Sequence, residues 1–300
     1  MNFVILVLPA FLILAIGYIG QKKLKIDRKS VSTTALYLMS PFLAFRTFYT
    51  NKVSIEYLYI VLFCLTLCAV LLVLILFIGK VKKLQQPKVS AMILSGVFMN
   101  SGNYGAPIIL FAFGSVGFDY AVIMMVIQSL LMNTVGLYYA AKGSKETNTM
   151  KESLMKVVKM PIIYGAALGL IIQVSGLIVP NFVIQAVELI ADAAIPTVML
   201  VLGMQLATLS RNNMKLGEVA SMVMIKMVVS PIIAYFIIMI FSIEGLLAKI
   251  LLVLAAMPTA ANTTLYALQF NTEPEFVSSS TLITTILSII TVPIMLLLVS

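Results

Sequence analysis

The sequence has no histidine, no tryptophan, only two cysteines, and charged residues at just 10% of its 300 positions. Each shortage excludes something. Without histidine, proton chemistry falls to carboxylates and lysines. Cys64 and Cys68 stand one turn apart inside an apolar run, where they make neither a good disulfide nor a metal site; they read as small buried apolar residues. A soluble domain of this length carries about 25% charged residues. Here 61% of residues are hydrophobic and the mean hydropathy is +1.10, so too little polar surface exists to face water. Lipid must be the solvent. The apolar runs do not alternate as barrel strands do, which leaves an all-α polytopic membrane protein. The first run, Asn2 to Gly20, has no basic residues before it and no small-residue cleavage site after it. A signal peptide needs both, so a retained first helix is expected.

What is present is a series of apolar runs. A span takes about 20 apolar residues. About ten such runs occur, near 2–20, 30–50, 57–79, 89–113, 119–141, 160–179, 182–207, 219–242, 246–270 and 276–299. The net charge of +9 is carried mainly by short loops after odd-numbered runs: Lys22, Lys23, Lys25, Arg28 and Lys29, then Lys80, Lys82, Lys83 and Lys88, then Lys142 to Lys159, then Arg211 and Lys215. That distribution points to anionic lipid and not to nucleic acid. By the positive-inside rule those loops are cytoplasmic and both termini are extracytoplasmic.

The longest polar segment, Lys142 to Lys159, falls between five runs on each side. An odd number of spans per half forces the halves into opposite orientations, the layout of an inverted-repeat transporter. The expected organisation is a first five-helix repeat over 1–145, a short cytoplasmic linker over 146–159, and a second, inverted repeat over 160–300. Faint symmetry accompanies it. Pro9 and Pro161 are 152 residues apart, Gly17 and Gly169 also 152, Pro41 and Pro196 155, and Pro107 and Pro258 151.

The last pair marks two interrupted spans. In "VFMNSGNYGAPIILFAFG", Asn100, Asn103, Tyr104, Gly105 and Pro107 stand where an unbroken helix is otherwise expected. In "AAMPTAANTTLYAL" the same recipe recurs as Pro258, Thr259, Asn262 and Thr263. Proline removes a donor and clashes with the preceding turn. In lipid the freed groups need partners, so such breaks are tolerated where they are buried in protein or line a wet cavity. Broken helices at matching places in two halves point to a substrate site, with half-helix N-termini offering partial positive charge to an anion. The alternative is a pair of structural kinks with satisfied amides.

Charges inside the membrane are functional candidates by default. Glu188 and Asp192 lie four residues apart on one face of the seventh run. Asp192 falls roughly 15 Å deep at 1.5 Å per residue. It is suited to carry a coupling proton, bind a cation, or pair with a lysine. Lys226, in the eighth run, either snorkels or faces the interior. Arg46, near the outer end of the second run, is expected to reach the headgroups. The sequence "SGNYG" follows no strand and lacks a GxxxxGK[ST] motif, so nothing indicates nucleotide binding. No cofactor or metal is implied, and energy comes from ion or substrate gradients, with Na+ or H+ as the candidate coupling ions.

At these residues the chain resembles the auxin efflux carrier family of transporters, in its bacterial branch. The likeness is carried by "AIGYIGQKKLKI…LYLMSPFLAFRTF", "MNSGNYGAPIILFAFG", "ADAAIPTVMLVLGMQLA", "AAMPTAANTTLYALQF" and "SSSTLITTILSIITVPIMLLL". The resemblance implies two inverted five-span repeats, with spans 1, 2, 6 and 7 as scaffold and spans 3–5 and 8–10 as a transport domain. It implies spans 4 and 9 crossing at their breaks, substrate beside the crossing, an elevator-type motion and a homodimer in a bacterial cytoplasmic membrane. Carried over by motif are Asn100, Asn103, Gly105, Pro107, Asp192, Pro258 and Asn262. The expected function is secondary transport of a small organic anion, a carboxylate such as malate or malonate or an auxin-like acid. Alternatives are a sodium- or proton-coupled carrier of a neutral or amphipathic solute, and a membrane sensor with a fixed ligand site. An enzyme is not expected: there is no nucleophile with a base and no metal cluster.

Overall fold

The computed structural model describes residues 3–144, 160–208 and 216–299. The expected linker, 146–159, and the loop residues Arg211 and Lys215 lie outside them. The described chain is helical, with one isolated backbone bridge between Met99 and Thr259. Its helices are α1 (Phe3–Leu24), α2 (Arg28–Thr33), α3 (Ser40–Thr50), α4 (Ile55–Val81), α5 (Gln86–Gly96), α6 (Ala106–Leu131), α7 (Leu137–Lys142), α8 (Pro161–Ser175), α9 (Asn181–Thr208), α10 (Leu216–Met224), α11 (Ser230–Ile240), α12 (Gly245–Ala255), α13 (Ala261–Gln269) and α14 (Pro274–Val299). Wide π-turns join several of them, at Thr34–Met39, Ser101–Gly105, Met132–Gly136 and Ile225–Val229.

Five helical stretches among the described residues are long and apolar enough to cross a membrane: Ile55–Val81, Ser101–Lys142, Asn181–Thr208, Val219–Ile240 and Pro274–Val299. The protein is therefore a multi-pass membrane protein. The second of these stretches holds the end of one expected run, 89–113, and the whole of the next, 119–141. They part at Gly114, whose φ of 73° and ψ of −166° are not helical. Glycine reaches that region without a Cβ clash.

Packing groups the chain into two units, each drawing on both halves of the sequence. Unit one comprises residues 3–58, 102–126 and 160–208; unit two comprises 59–101, 127–144 and 216–299.

In unit one α1 lies along α9, and α3 along α8. Small residues let the backbones meet, as in helix pairs that associate in lipid without a hydrophobic drive. A Cβ on Gly17 would stand 2.3 Å from the Leu200 carbonyl oxygen, and one on Gly169 would stand 2.5 Å from that of Phe45. These two contacts are counterparts: Gly17 and Gly169 differ by 152 positions, Phe45 and Leu200 by 155. The offsets are those of the proline and glycine pairs seen in the sequence.

In unit two α4 buries Ile60, Phe63, Cys64, Leu67, Leu71 and Ile75 on one face. Its opposite face exposes Leu62, Leu65, Val73 and Phe77. A helix apolar on both faces suits one side to protein and the other to lipid. Helix α5 is buried all round from Val89 to Gly96 and packs against α7, α10, α13 and α14. It ends at the first of the two interruptions.

Candidate functional site

Both interruptions lie in unit two and pair with each other. Helix α5 stops at Gly96 and α12 stops at Ala255. The strands of chain that follow run antiparallel past each other for one bridge. The Asn100 N–H donates to the Pro258 carbonyl at 2.8 Å, and the Ala260 N–H donates to the Phe98 carbonyl at 3.0 Å. Two breaks thereby satisfy backbone groups that neither helix can satisfy alone.

Hydroxyls close the remaining gaps. Thr259 Oγ1 donates to the Ser95 carbonyl at 2.6 Å, in the last turn of α5. The Thr259 N–H donates to Thr284 Oγ1 on α14 at 3.2 Å. Ser230 Oγ, at the start of α11, donates to the carbonyl of Ala255, the last residue of α12, at 3.1 Å. Thr263 Oγ1 donates to the Ala260 carbonyl at 2.7 Å, and Thr264 shares a hydrogen bond with Thr281 at 3.3 Å. Phe98, Met257 and Thr259 are buried around the bridge.

The expected pairing of Pro107 with Pro258 needs correction. Pro258 does lie in the second break. Pro107 does not lie in the first, because the chain has already resumed helix through the Ser101–Gly105 π-turn and α6 before reaching it. The two 11-residue helices before the breaks, Gln86–Gly96 and Gly245–Ala255, correspond at an offset of 159. On that register Asn100 is the counterpart of Thr259. The proline pattern misleads because the interruption is set by which backbone groups find partners across the bridge.

Of the expected site residues, Asn100, Pro258 and Thr259 meet at the bridge, and Thr263 follows one turn on. Asn262 is half-buried in the first turn of α13. Asn103, Tyr104, Gly105 and Pro107 belong to unit one. There Tyr104 is buried and sets its ring edgewise to Phe11, centroids 6.5 Å apart. Asn103 is half-buried.

The charged candidates divide as well. In unit one, Arg46 does not reach for headgroups. It forms an ion pair with Asp192 at 2.5 Å, drawing the two halves of the sequence together. Glu188, one turn before Asp192, is exposed. Asp119 completes this group and was not anticipated. Thr47 donates to it at 3.5 Å, and the Asn51 side chain bonds it too. Its only sequence signal is a lone acid in "GFDY", at the start of the fifth apolar run. In unit two, Lys226 is fully buried, so it does not snorkel. It sits in the Ile225–Val229 π-turn, which packs against α5 and α14. Ser280, Thr281 and Thr284 of α14 are further buried hydroxyls at the site. Their signal was a run of Ser and Thr in an otherwise apolar span.

Comparison with known proteins agrees in kind. The profile of a family described as membrane transport protein matches residues 2–296. An uncharacterized transporter of Methanocaldococcus jannaschii is 25% identical over 297 residues, covering 96% of this chain and 94% of that protein. An uncharacterized transporter of Methanothermobacter thermautotrophicus is 22% identical, covering 98% and 95%. Both relatives are archaeal, so the likeness extends beyond the bacterial branch.

Proposed function

From the premise that the chain belongs to the membrane transport protein family, that of the auxin efflux carriers, we propose that it is a secondary transporter of a small organic anion. The observation that carries this is the bridge between the two breaks. After it, Ser101 and Ala261 each open a new half-helix, and the first N–H groups of such a helix have no intrahelical acceptor. Aligned peptide dipoles give each of these ends about half a positive charge. A carboxylate is the ligand that such ends attract. Asn100 and Asn262 stand at those ends with amides able to orient it. Malate, malonate and an auxin-like acid are the substrates to try first.

An elevator-type motion is the mechanism we favour. Its support is that both breaks share one packing unit with most of α4, with α5 and with α10 to α14, while α1, α3, residues 102–126, α8 and α9 pack in the other. In this scheme the breaks carry the substrate, and α1, α3, α8 and α9 are the scaffold. The Arg46–Asp192 pair and Glu188 then belong to the scaffold, where coupling by Na+ or H+ is the remaining role for the acids. The basic loops hold anionic lipid, and a homodimer braces the scaffold.

The test is counterflow in proteoliposomes. Liposomes preloaded with unlabelled malate, malonate or indole-3-acetate should accumulate the same labelled acid. Replacing both Asn100 and Asn262 by Ala should remove most of that uptake. Undiminished counterflow in the double variant sinks the proposed site. Saturable ligand binding without any counterflow favours a sensor instead.

A further inference from the structure

Among the described residues, few buried side-chain polar atoms lack a hydrogen-bond partner, and four of them stand on elements that pack around the bridge. They are Lys226 Nζ, Asn100 Nδ2, Ser95 Oγ and Ser280 Oγ. Contacts through the bridge tie three of them together. Asn100 is a bridge residue. Ser95 offers its carbonyl to Thr259. Ser280 lies one turn before Thr284, which accepts from the Thr259 N–H and returns its own hydroxyl to the Ser280 carbonyl at 2.7 Å.

Lys226 stands in the widened turn Ile225–Val229 that precedes α11, and that turn packs against α5 and α14. Ser230, four residues on and the first residue of α11, bonds the last carbonyl of α12. The neighbouring Ile225 meets Gly96, where α5 ends: a Cβ on that glycine would stand 3.7 Å from an Ile225 methyl. π-turns of this kind recur at functional sites because they re-aim a side chain.

All four atoms can donate a hydrogen bond, and Lys226 is able to carry a positive charge. Among the described residues no carboxylate pairs with it. Helices α5, α11, α12 and α13 contain no acidic residue. The only acid of α14, Glu275, is in its first turn, at the far side of Ser280. A charge buried without a partner is strongly disfavoured, and in a membrane protein it marks a site.

Resting on the transport reading above, we infer that Lys226 is the residue that neutralises the substrate's carboxylate, with Asn100, Ser95 and Ser280 as the neutral donors around it. The half-helix ends attract and orient the anion. Lys226 supplies the full countercharge that makes its burial in unit two possible. The site then discriminates an acid from its uncharged amide.

The test is melting of the purified protein in detergent, with the potassium salts of malonate, malate and indole-3-acetate, and with malonamide and indole-3-acetamide as uncharged controls. At least one acid should raise the melting temperature of the wild type, and neither amide should. K226M should melt higher than the wild type without ligand, because it removes an unpaired buried charge. It should need about tenfold more acid, or beyond, for the same shift. K226R should respond to the acid within a few-fold of wild type, and this variant decides the matter if K226M does not fold. A K226M protein that melts lower and responds to the acid as wild type does overturns the inference, for Lys226 is then structural. Counterflow separates the two levels of proposal. Wild-type counterflow that K226M retains at the same half-saturation refutes the role of Lys226 and leaves transport standing. Absence of both counterflow and stabilisation by every acid refutes both.

Discussion

The Asn100 N–H donates to the Pro258 carbonyl oxygen at 2.8 Å. These residues are 158 positions apart, in different halves of the chain, and each lies where its own helix has failed. Their contact turns two local defects into one shared structure. Every hydroxyl bond described around it serves that junction, so perturbing the junction is the first way to test it.

Thr259 is the most exacting position. Its hydroxyl satisfies the Ser95 carbonyl and its N–H meets Thr284. Thr259→Val keeps the shape and leaves a buried carbonyl unpaired. A loss of about 1–3 kcal/mol is expected, read as a lower melting temperature in detergent, with Thr259→Ser retaining most of the stability. Equal melting of wild type and the valine variant would count against a structural role for the hydroxyl.

Backbone approach between α1 and α9 admits a cleaner comparison. A Cβ on Gly203 would sit 2.1 Å from the Leu14 carbonyl oxygen, whereas one on Gly20 would meet nothing within 4 Å. Gly203→Ala should therefore destabilise by at least about 1–3 kcal/mol, as over-packing does, or abolish folding. Gly20→Ala on α1 should be neutral or slightly stabilising. Melting temperature and yield of monodisperse protein measure both.

The Arg46–Asp192 pair invites a charge exchange. Arg46→Asp and Asp192→Arg should each reduce stability, and the double exchange should restore part of it. With the side chains 23% and 71% exposed, the coupling is expected to be modest, about 0.5–1 kcal/mol. A double-exchange protein no better than the sum of the single variants shows the pair to be energetically idle. If Asp192 also carries a coupling proton, Asp192→Asn flattens the pH profile of counterflow.

Asp27 caps α2, accepting from the N–H groups of Lys29 and Ser30 and from the Ser30 hydroxyl. Those bonds, the Ser30 hydroxyl foremost, hold its carboxyl below the usual carboxylate range. Its pKa is depressed on folding, so the stabilisation is present above the unfolded value and fades as pH falls through the folded one. Amide exchange at Lys29 and Ser30 should accelerate at acid pH beyond the intrinsic rate. Asp27→Ala should show that fast exchange at neutral pH already.

Much of the fold was legible in the runs. Composition demanded lipid, and Gly114 separates two runs at the expected place. The offset between Gly17 and Gly169 recurs in their neighbours, Leu200 and Phe45, to within three positions. The site was legible only in part. "MNSGNYGAP" and "MPTAANTT" pointed to two breaks, but Pro107 looked like the mark of the first and is already inside the next helix. Arg46 looked like a headgroup anchor because its partner, Asp192, is 146 residues away. Asp119 went unremarked because nothing local distinguishes a paired acid from a solvated one.

The sequence alone determined the solvent, the helical class and where continuous helix must fail. These follow from local quantities: transfer free energy summed along a run, and the missing donor of a proline. The tertiary structure decided which broken ends pair, that Asn100 faces Pro258, and that Lys226 is buried with its Nζ unpartnered among the described residues. Those outcomes depend on which backbone and side-chain groups find partners across the chain, and in a medium that offers no water such partners can come only from elsewhere in the fold.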